Sequence, residues 1–372
     1  MINAWIQCEN DGDVDAYASK KAEKILDYLC EQHEKGVEAL SPNNGSFNLC
    51  IKSWCNSKHP NAAEKAEKVL RRKEAFAERS RNDVYITAPN YNLVIAKWRD
   101  DKTNGPDRAR KLFNEMVQKY GNAAEFKARP NIVTLNSLLD VLAKSSSRDM
   151  AEECEVLLKE ANELFREGKS TILPDIISYR TCIDAWIRQW QTVSPIRVEA
   201  LVNEMINKYS VEGRKDLCPD SDVFNLVLKA CSQATVTWHE DVAKKSDTPV
   251  SIANRTYSVL KGKNQFNIKP THATYAFMFL IYKNHLDFEN SRYTQLLTML
   301  WKQCCNDGLV SQFALDSFRD SVLQYQFWNA IGGNDRYAAM GKTKPDEVKV
   351  DDLPQEWRRN VKPQRRQGKG AK

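Results

Sequence analysis

Asparagine recurs at one place in this chain. Asn48, Asn92, Asn136 and Asn225 each follow directly on a large apolar residue, Phe47, Tyr91, Leu135 or Phe224. A side-chain amide both donates and accepts. A row of amides can therefore match the mixed donor and acceptor edge of a pyrimidine, and a neighbouring carboxylate or second amide can fix each amide's orientation. Asparagine is a mediocre helix former inside the first turns, so propensity alone does not select it at four of six equivalent places. Other chemistries lack their residues. No HExxH, GxSxG, P-loop or GxGxxG occurs, and His33, His59, His239, His272 and His285 do not stand with cysteine at metal-ligand spacing. The ten cysteines contain no CxxC pair. The expectation is recognition without catalysis, cofactor or metal.

The elements that carry these asparagines repeat. SFNLCIKSW, NYNLVIAKW, TLNSLLDVL, SYRTCIDAW, VFNLVLKAC and TYAFMFLIY align without gaps on Phe47, Tyr91, Leu135, Tyr179, Phe224 and Tyr275, at intervals of 44, 44, 44, 45 and 51 residues. MINAW fits the same frame, with Trp5 in the column of Trp54, Trp98 and Trp186, whose offset of seven from the anchor assigns them to packing between repeats. Five residues before the anchors stand Pro42, Pro130, Pro174, Pro219 and Pro270, with Ile86 the exception. The next residue is always a helix-capping type: Asn43, Thr87, Asn131, Asp175, Asp220 or Thr271. A helix is predicted to start at each, with apolar positions at helical spacing such as Leu135, Leu138, Leu139 and Leu142. After a short polar break comes a second amphipathic stretch, for example PDRARKLFNEMVQKYG. Two antiparallel helices per repeat, stacked on their neighbours, make an all-α solenoid.

Composition agrees. Only 14 Gly and 13 Pro in 372 residues exclude collagenous and low-complexity chains, and no apolar run approaches the ~20 residues of a membrane helix. The formal charge of +6 is a property of the end of the chain: seven basic and no acidic residues lie between Trp357 and Lys372, and residues 1–356 sum to −1. Within the repeats, the ten residues from each anchor carry eight basic side chains (Lys52, Lys97, Arg99, Lys144, Arg180, Arg188, Lys229, Lys283) against Asp100, Asp140 and Asp184. Positive charge on the first-helix face suits a polyanion such as single-stranded RNA, although basic residues also solvate helix ends.

The proline, capping residue, aromatic, Asn series followed by a second helix such as ARKLFNEM resembles the pentatricopeptide repeat family. RPNIVTLNSLLDVLAK and LPDIISYRTCIDAWIR carry the family's opening. The resemblance spans roughly residues 1–310. Family repeats are nearer 35 residues, so each unit here is lengthened in its second helix or the loop that follows. The sixth repeat has a further insertion, QATVTWHEDVAKKSDTPV. What the resemblance implies is a right-handed α-solenoid of helix-turn-helix repeats that binds single-stranded RNA, one base per unit. It implies base contacts from Asn48, Asn92, Asn136, Arg180, Asn225 and Ala276. Each is paired with the residue after the next proline: Asn48 with Thr87, Asn92 with Asn131, Asn136 with Asp175, Arg180 with Asp220, and Asn225 with Thr271. In family terms Asn with Asn favours cytosine and Asn with Asp favours uracil. Branched aliphatics two residues before the anchor would sandwich the base, and only Val133 and Ile177 fit. The unit of Asn136 and Asp175 is therefore the best-formed candidate site. Helix capping alone would also select the Asn, Asp and Thr residues that follow proline.

The expected organisation is a partial repeat over 1–40, an array over 41–310, a C-terminal cap over 311–356 that reads as loop-rich from Asp335 on, and a basic disordered tail over 357–372. MINAWIQCEN reads as the middle of a helix without a targeting layout, so an N-terminally incomplete product is expected. The resemblance implies an organellar ribonucleoprotein setting without membrane, mitochondrial in preference to plastid. A tetratricopeptide-like protein scaffold, within an organellar ribosome for example, is the alternative. A nuclease lacking its catalytic part is a third reading.

Overall fold

The computed structural model describes residues 17–79, 84–121, 126–147, 149–189, 191–235, 247–263, 265–287 and 291–361. Among these residues there are sixteen α-helices and no strand. The chain divides into two compact units, residues 1–185 and 186–372.

The first unit holds α1 (Tyr17–Glu34), α2 (Asn44–Asn56), α3 (Ala62–Arg79), α4 (Ala88–Lys97), α5 (Gly105–Tyr120), α6 (Ile132–Ala143) and α7 (Met150–Arg166), with most of α8 (Ile176–Gln189). Antiparallel pairs form as α2 with α3, α4 with α5, and α6 with α7, while α2, α4 and α6 pack on one another in series. The cause lies in the sequence pattern. Each first helix buries its anchor and the residues three, four and seven places on, as with Tyr91, Val94, Ile95 and Trp98. The tryptophans Trp54, Trp98 and Trp186 are all buried, so their column is core, while Trp5 lies outside the described residues.

Helix starts are set by reciprocal capping. Asn43 Oδ1 accepts from Ser46 N at 2.9 Å, Asn131 Oδ1 from Thr134 N at 3.1 Å, and Asp175 Oδ1 from Ser178 N at 3.0 Å. The third helical residue closes the box by accepting from the cap's own backbone, Asn131 N to Thr134 Oγ1 at 3.0 Å for example. Second helices are longer than first helices. In the pairs α2/α3, α4/α5 and α6/α7 the second helix has 18, 16 or 17 residues, and the first has 13, 10 or 12.

The second unit contains α9 (Ser194–Ser210), α10 (Ser221–Gln233), α11 (Pro249–Lys261), α12 (His272–His285), α13 (Ser291–Asn306), α14 (Gln312–Arg319), α15 (Gln324–Ile331) and α16 (Asn334–Ala338). Here α10 packs on α12 and α12 on α14, the same first-helix series. Most of the expected insertion in the sixth repeat, residues 236–246, is outside the described residues.

The C-terminal region departs from expectation. Residues 311–331, the first part of the expected cap, are not loop. They form a shortened further pair, α14 and α15, capped by Ser311 Oγ on Ala314 N at 3.1 Å. The pair escaped the repeat pattern because it lacks the proline and its helices have only eight residues each. Nor does the tail begin at Trp357. Its ring meets Trp301 edge-on at 6.1 Å, its carbonyl accepts from Val310 N at 2.8 Å, and Asn360 N donates to Gly308 O at 2.9 Å. Residues 362–372 lie outside the described residues.

Candidate nucleic-acid interface

The anchors place the asparagines. Because each anchor is fully or nearly fully buried, the residue after it turns toward the N-terminal edge of the next first helix, where that helix has its cap. At Asn136 the geometry is tight. Its Nδ2 donates to Asp175 Oδ1 at 3.1 Å and to Oδ2 at 3.4 Å, and its Oδ1 accepts from Ser178 Oγ at 2.6 Å. Asp175 meanwhile caps α8, so one carboxylate both starts a helix and orients the amide of the preceding repeat. Capping and orientation are thus not alternatives at this residue. The branched side chains expected to flank it, Val133 and Ile177, are 54% and 56% exposed on the first turns of α6 and α8. Water-facing β-branched side chains stabilise neither helix, and they leave an apolar rim on either side of a polar junction.

The same junction recurs in the second unit. Asn225 Nδ2 donates to Thr271 Oγ1 at 2.9 Å, and Asn225 Oδ1 accepts from Thr274 Oγ1 at 2.7 Å. Asn92 forms a looser version. Its Nδ2 reaches Asn131 Oδ1 only at 3.5 Å, because that oxygen is already held by Thr134 N. Thr134 Oγ1 is turned toward Asn131, at 3.3 Å, instead of toward Asn92. Asn92 is 8% exposed and its Oδ1 has no protein partner among the described residues.

One predicted pair differs. Asn48 is engaged by Asn90 and Lys73 instead of Thr87: Asn90 Nδ2 and Lys73 Nζ both donate to Asn48 Oδ1, each at 2.8 Å. Lys73 Nζ also donates to Asn90 Oδ1 at 2.9 Å. Lys73 is fully buried and has no carboxylate beside it among the described residues, and burial pushes its ammonium down to about 8. Arg180 belongs to the first unit and Asp220 to the second, where Asp220 caps α10 by accepting from Val223 N at 2.9 Å. Ala276 is buried in α12 and brings no polar group.

Sequence reasoning passed over the residue just before each anchor. Asn90, Thr134, Ser178 and Thr274 are hydroxyl or amide side chains that close the capping boxes, and three of the four also bond the asparagine of the preceding repeat. Their signal was present as a polar column beside the anchor column. Lys73 gave none, because it looks like one more exposed lysine in a charged helix.

The basic first-helix face is partly neutralised. Lys97 pairs with Asp100 at 2.8 Å, and Arg99 (3.1 Å) and Lys144 both pair with Asp140. Lys52, Lys229, Lys283 and Arg188 have no ion pair among the described residues. Burial pushes the thiols of Cys50, Cys55 and Cys305 up to about 12, and no His, Cys, Asp and Glu cluster suited to a metal occurs among the described residues. No described helix is long and apolar enough to cross a membrane.

No protein-family model matches the chain, and no curated protein matches its sequence. Among solved structures, it is similar to the pentatricopeptide repeat protein PPR10 from maize, with 17% identity and a TM-score of 0.37 over 86% of this chain. The match takes in 44% of that maize chain, so the present chain spans less than half its length.

Proposed function

We propose that the chain binds single-stranded RNA along the row of junctions between successive first helices, with one base set against each asparagine. The observation that carries this reading is the Asn136, Asp175 and Ser178 junction between exposed Val133 and Ile177. An amide oxygen has two lone pairs and an amide nitrogen two protons, so after its neighbours are served Asn136 keeps capacity to accept and to donate. A base could insert between the two aliphatic rims and meet that amide at its edge. Asn92 and Asn131, Asn225 and Thr271, and Asn48 would be further contact points. Lys52, Lys229, Lys283 and Arg188 would meet phosphates.

No catalytic role is assigned; the bound RNA would be protected, processed by other factors or presented for translation. An organellar setting, mitochondrial in preference to plastid, is part of the same reading and rests on the motif resemblance. The test is fluorescence anisotropy with RNA oligonucleotides against DNA of the same sequence and against duplex RNA. Preference for single-stranded RNA supports the proposal. Equal and weak binding of all three gives the lead to a protein-binding scaffold.

A further inference from the structure

The asparagines of the row are not chemically equivalent, and the difference begins with a residue on a second helix. Ala66, Val69 and Lys73 in α3 share the three-and-four spacing of Ala109, Leu112 and Met116 in α5, and of Val198, Leu201 and Met205 in α9. All nine are buried, so this chain places a lysine where two other second helices place a core methionine. A cation there has no electrostatic benefit to offer the core, since no carboxylate among the described residues faces it. Its two hydrogen bonds go to the oxygens of Asn48 and Asn90.

The consequence falls on Asn48. Its Oδ1 accepts from Lys73 Nζ and from Asn90 Nδ2, which uses both lone pairs, while its Nδ2 has no partner among the described residues. Asn92 is the reverse case, with an Oδ1 unpartnered among the described residues, and Asn136 and Asn225 are bonded at both ends. Building on the RNA-binding reading, we infer that Lys73 is a positioning residue that pins Asn48 with its oxygen inward. The first junction then offers donors only and selects a base edge made of acceptors. The adjacent N3 and O2 of cytosine form such an edge, whereas uracil sets an N–H between its carbonyls and would meet donor with donor. Discrimination of about tenfold for cytosine over uracil is expected at this one position, within the range of single base contacts.

The experiment uses the full chain and a set of RNA oligonucleotides in which each position in turn is changed from cytosine to uracil. Lys73→Met frees one lone pair of Asn48 Oδ1 and places in α3 the side chain that Met116 and Met205 supply elsewhere. Lys73→Gln keeps an N–H donor without the charge. The expected result is that Lys73→Met reduces the cytosine preference to about twofold or less at a single position, leaves the other positions unchanged, and that Lys73→Gln retains the preference. A position profile identical in Lys73→Met and the unaltered chain overturns the inference while the RNA-binding reading stands. A profile lost everywhere overturns it as well, because Lys73 would then act on the fold and not on Asn48. Failure of the unaltered chain to bind any probe overturns both, and so separates the failure of the wider reading from that of the inference alone. A thermal melt of each variant confirms folding.

Discussion

Replacing Lys73 by methionine is expected to stabilise the chain even though it removes two hydrogen bonds. The ammonium is buried with no counter-charge among the described residues, and burial lowers its pKa from 10.5 to about 8. That displacement corresponds to a cost of roughly 3 kcal/mol for holding the charged form in the folded chain, at 1.36 kcal/mol for each unit. Against it stand the two bonds to Asn48 and Asn90, worth about 1 kcal/mol each. Neither acceptor is orphaned by the change: Asn48 Oδ1 still receives Asn90 Nδ2, and Asn90 Oδ1 still receives Thr87 N and Oγ1 at 3.0 and 2.9 Å. The net gain should be on the order of 1 kcal/mol, a rise of about 2–4 °C in melting temperature for a unit of this size. The pH dependence gives a sharper check. Between pH 8 and 10.5 the unfolded chain holds a proton on Lys73 that the folded chain has released, so the stability of the unaltered protein rises with pH across that window. The advantage of Lys73→Met is therefore full below pH 8 and fades toward pH 10.5. Urea unfolding of both proteins at about pH 7, 8, 9 and 10 measures it. A variant less stable at neutral pH, or an advantage that does not change with pH, would refute the reasoning.

Three further outcomes are expected. Asp175→Asn keeps an acceptor for Ser178 N, so stability should fall by less than about 1 kcal/mol in chemical denaturation. The same change makes the junction resemble Asn92 with Asn131, and base preference there should move toward cytosine by about 1 kcal/mol in competition binding. Ser178→Ala removes the donor to Asn136 Oδ1 and one arm of the capping box, with an expected loss of about 1–2 kcal/mol by thermal melt. Removing residues 362–372, which include five basic side chains, should weaken binding to all RNA sequences alike. The slope of log affinity against log salt should become shallower by about 0.7 for each phosphate that the tail no longer neutralises. The cut belongs after Val361, since Trp357 and Asn360 are packed against α13 and the turn after it.

Much of this arrangement was legible in the sequence because its causes are periodic. A buried anchor, a proline and a capping residue recur at nearly fixed intervals, and each dictates a local conformation whatever lies around it. The pairing of Asn136 with Asp175 and of Asn225 with Thr271 followed from the same register. What escaped depended on packing between elements with no common period. Lys73 has the composition of a solvated helix face and becomes a core residue only through α3 packing against α2 and α4. Asn48 turned to Asn90 and not to Thr87 because that lysine and the longer amide side chain fill the junction. The pair α14 and α15 continues the stack without its punctuation, since helices of eight residues hold together by apolar packing such as Phe318 stacked on Trp301 at 4.3 Å.

The central claim is that the asparagine after each anchor meets a base. The most direct measurement is binding of the full chain to RNA oligonucleotides that differ only at two central adjacent bases, before and after Asn136→Ala. The account predicts that cytosine followed by uracil binds most tightly, that purines at those places cost about 1–3 kcal/mol, and that Asn136→Ala abolishes the preference at the second base while the chain stays folded. Equal affinities for purine and pyrimidine versions, in the unaltered chain and in the variant alike, would contradict it and leave the asparagine row as a device that only joins one repeat to the next.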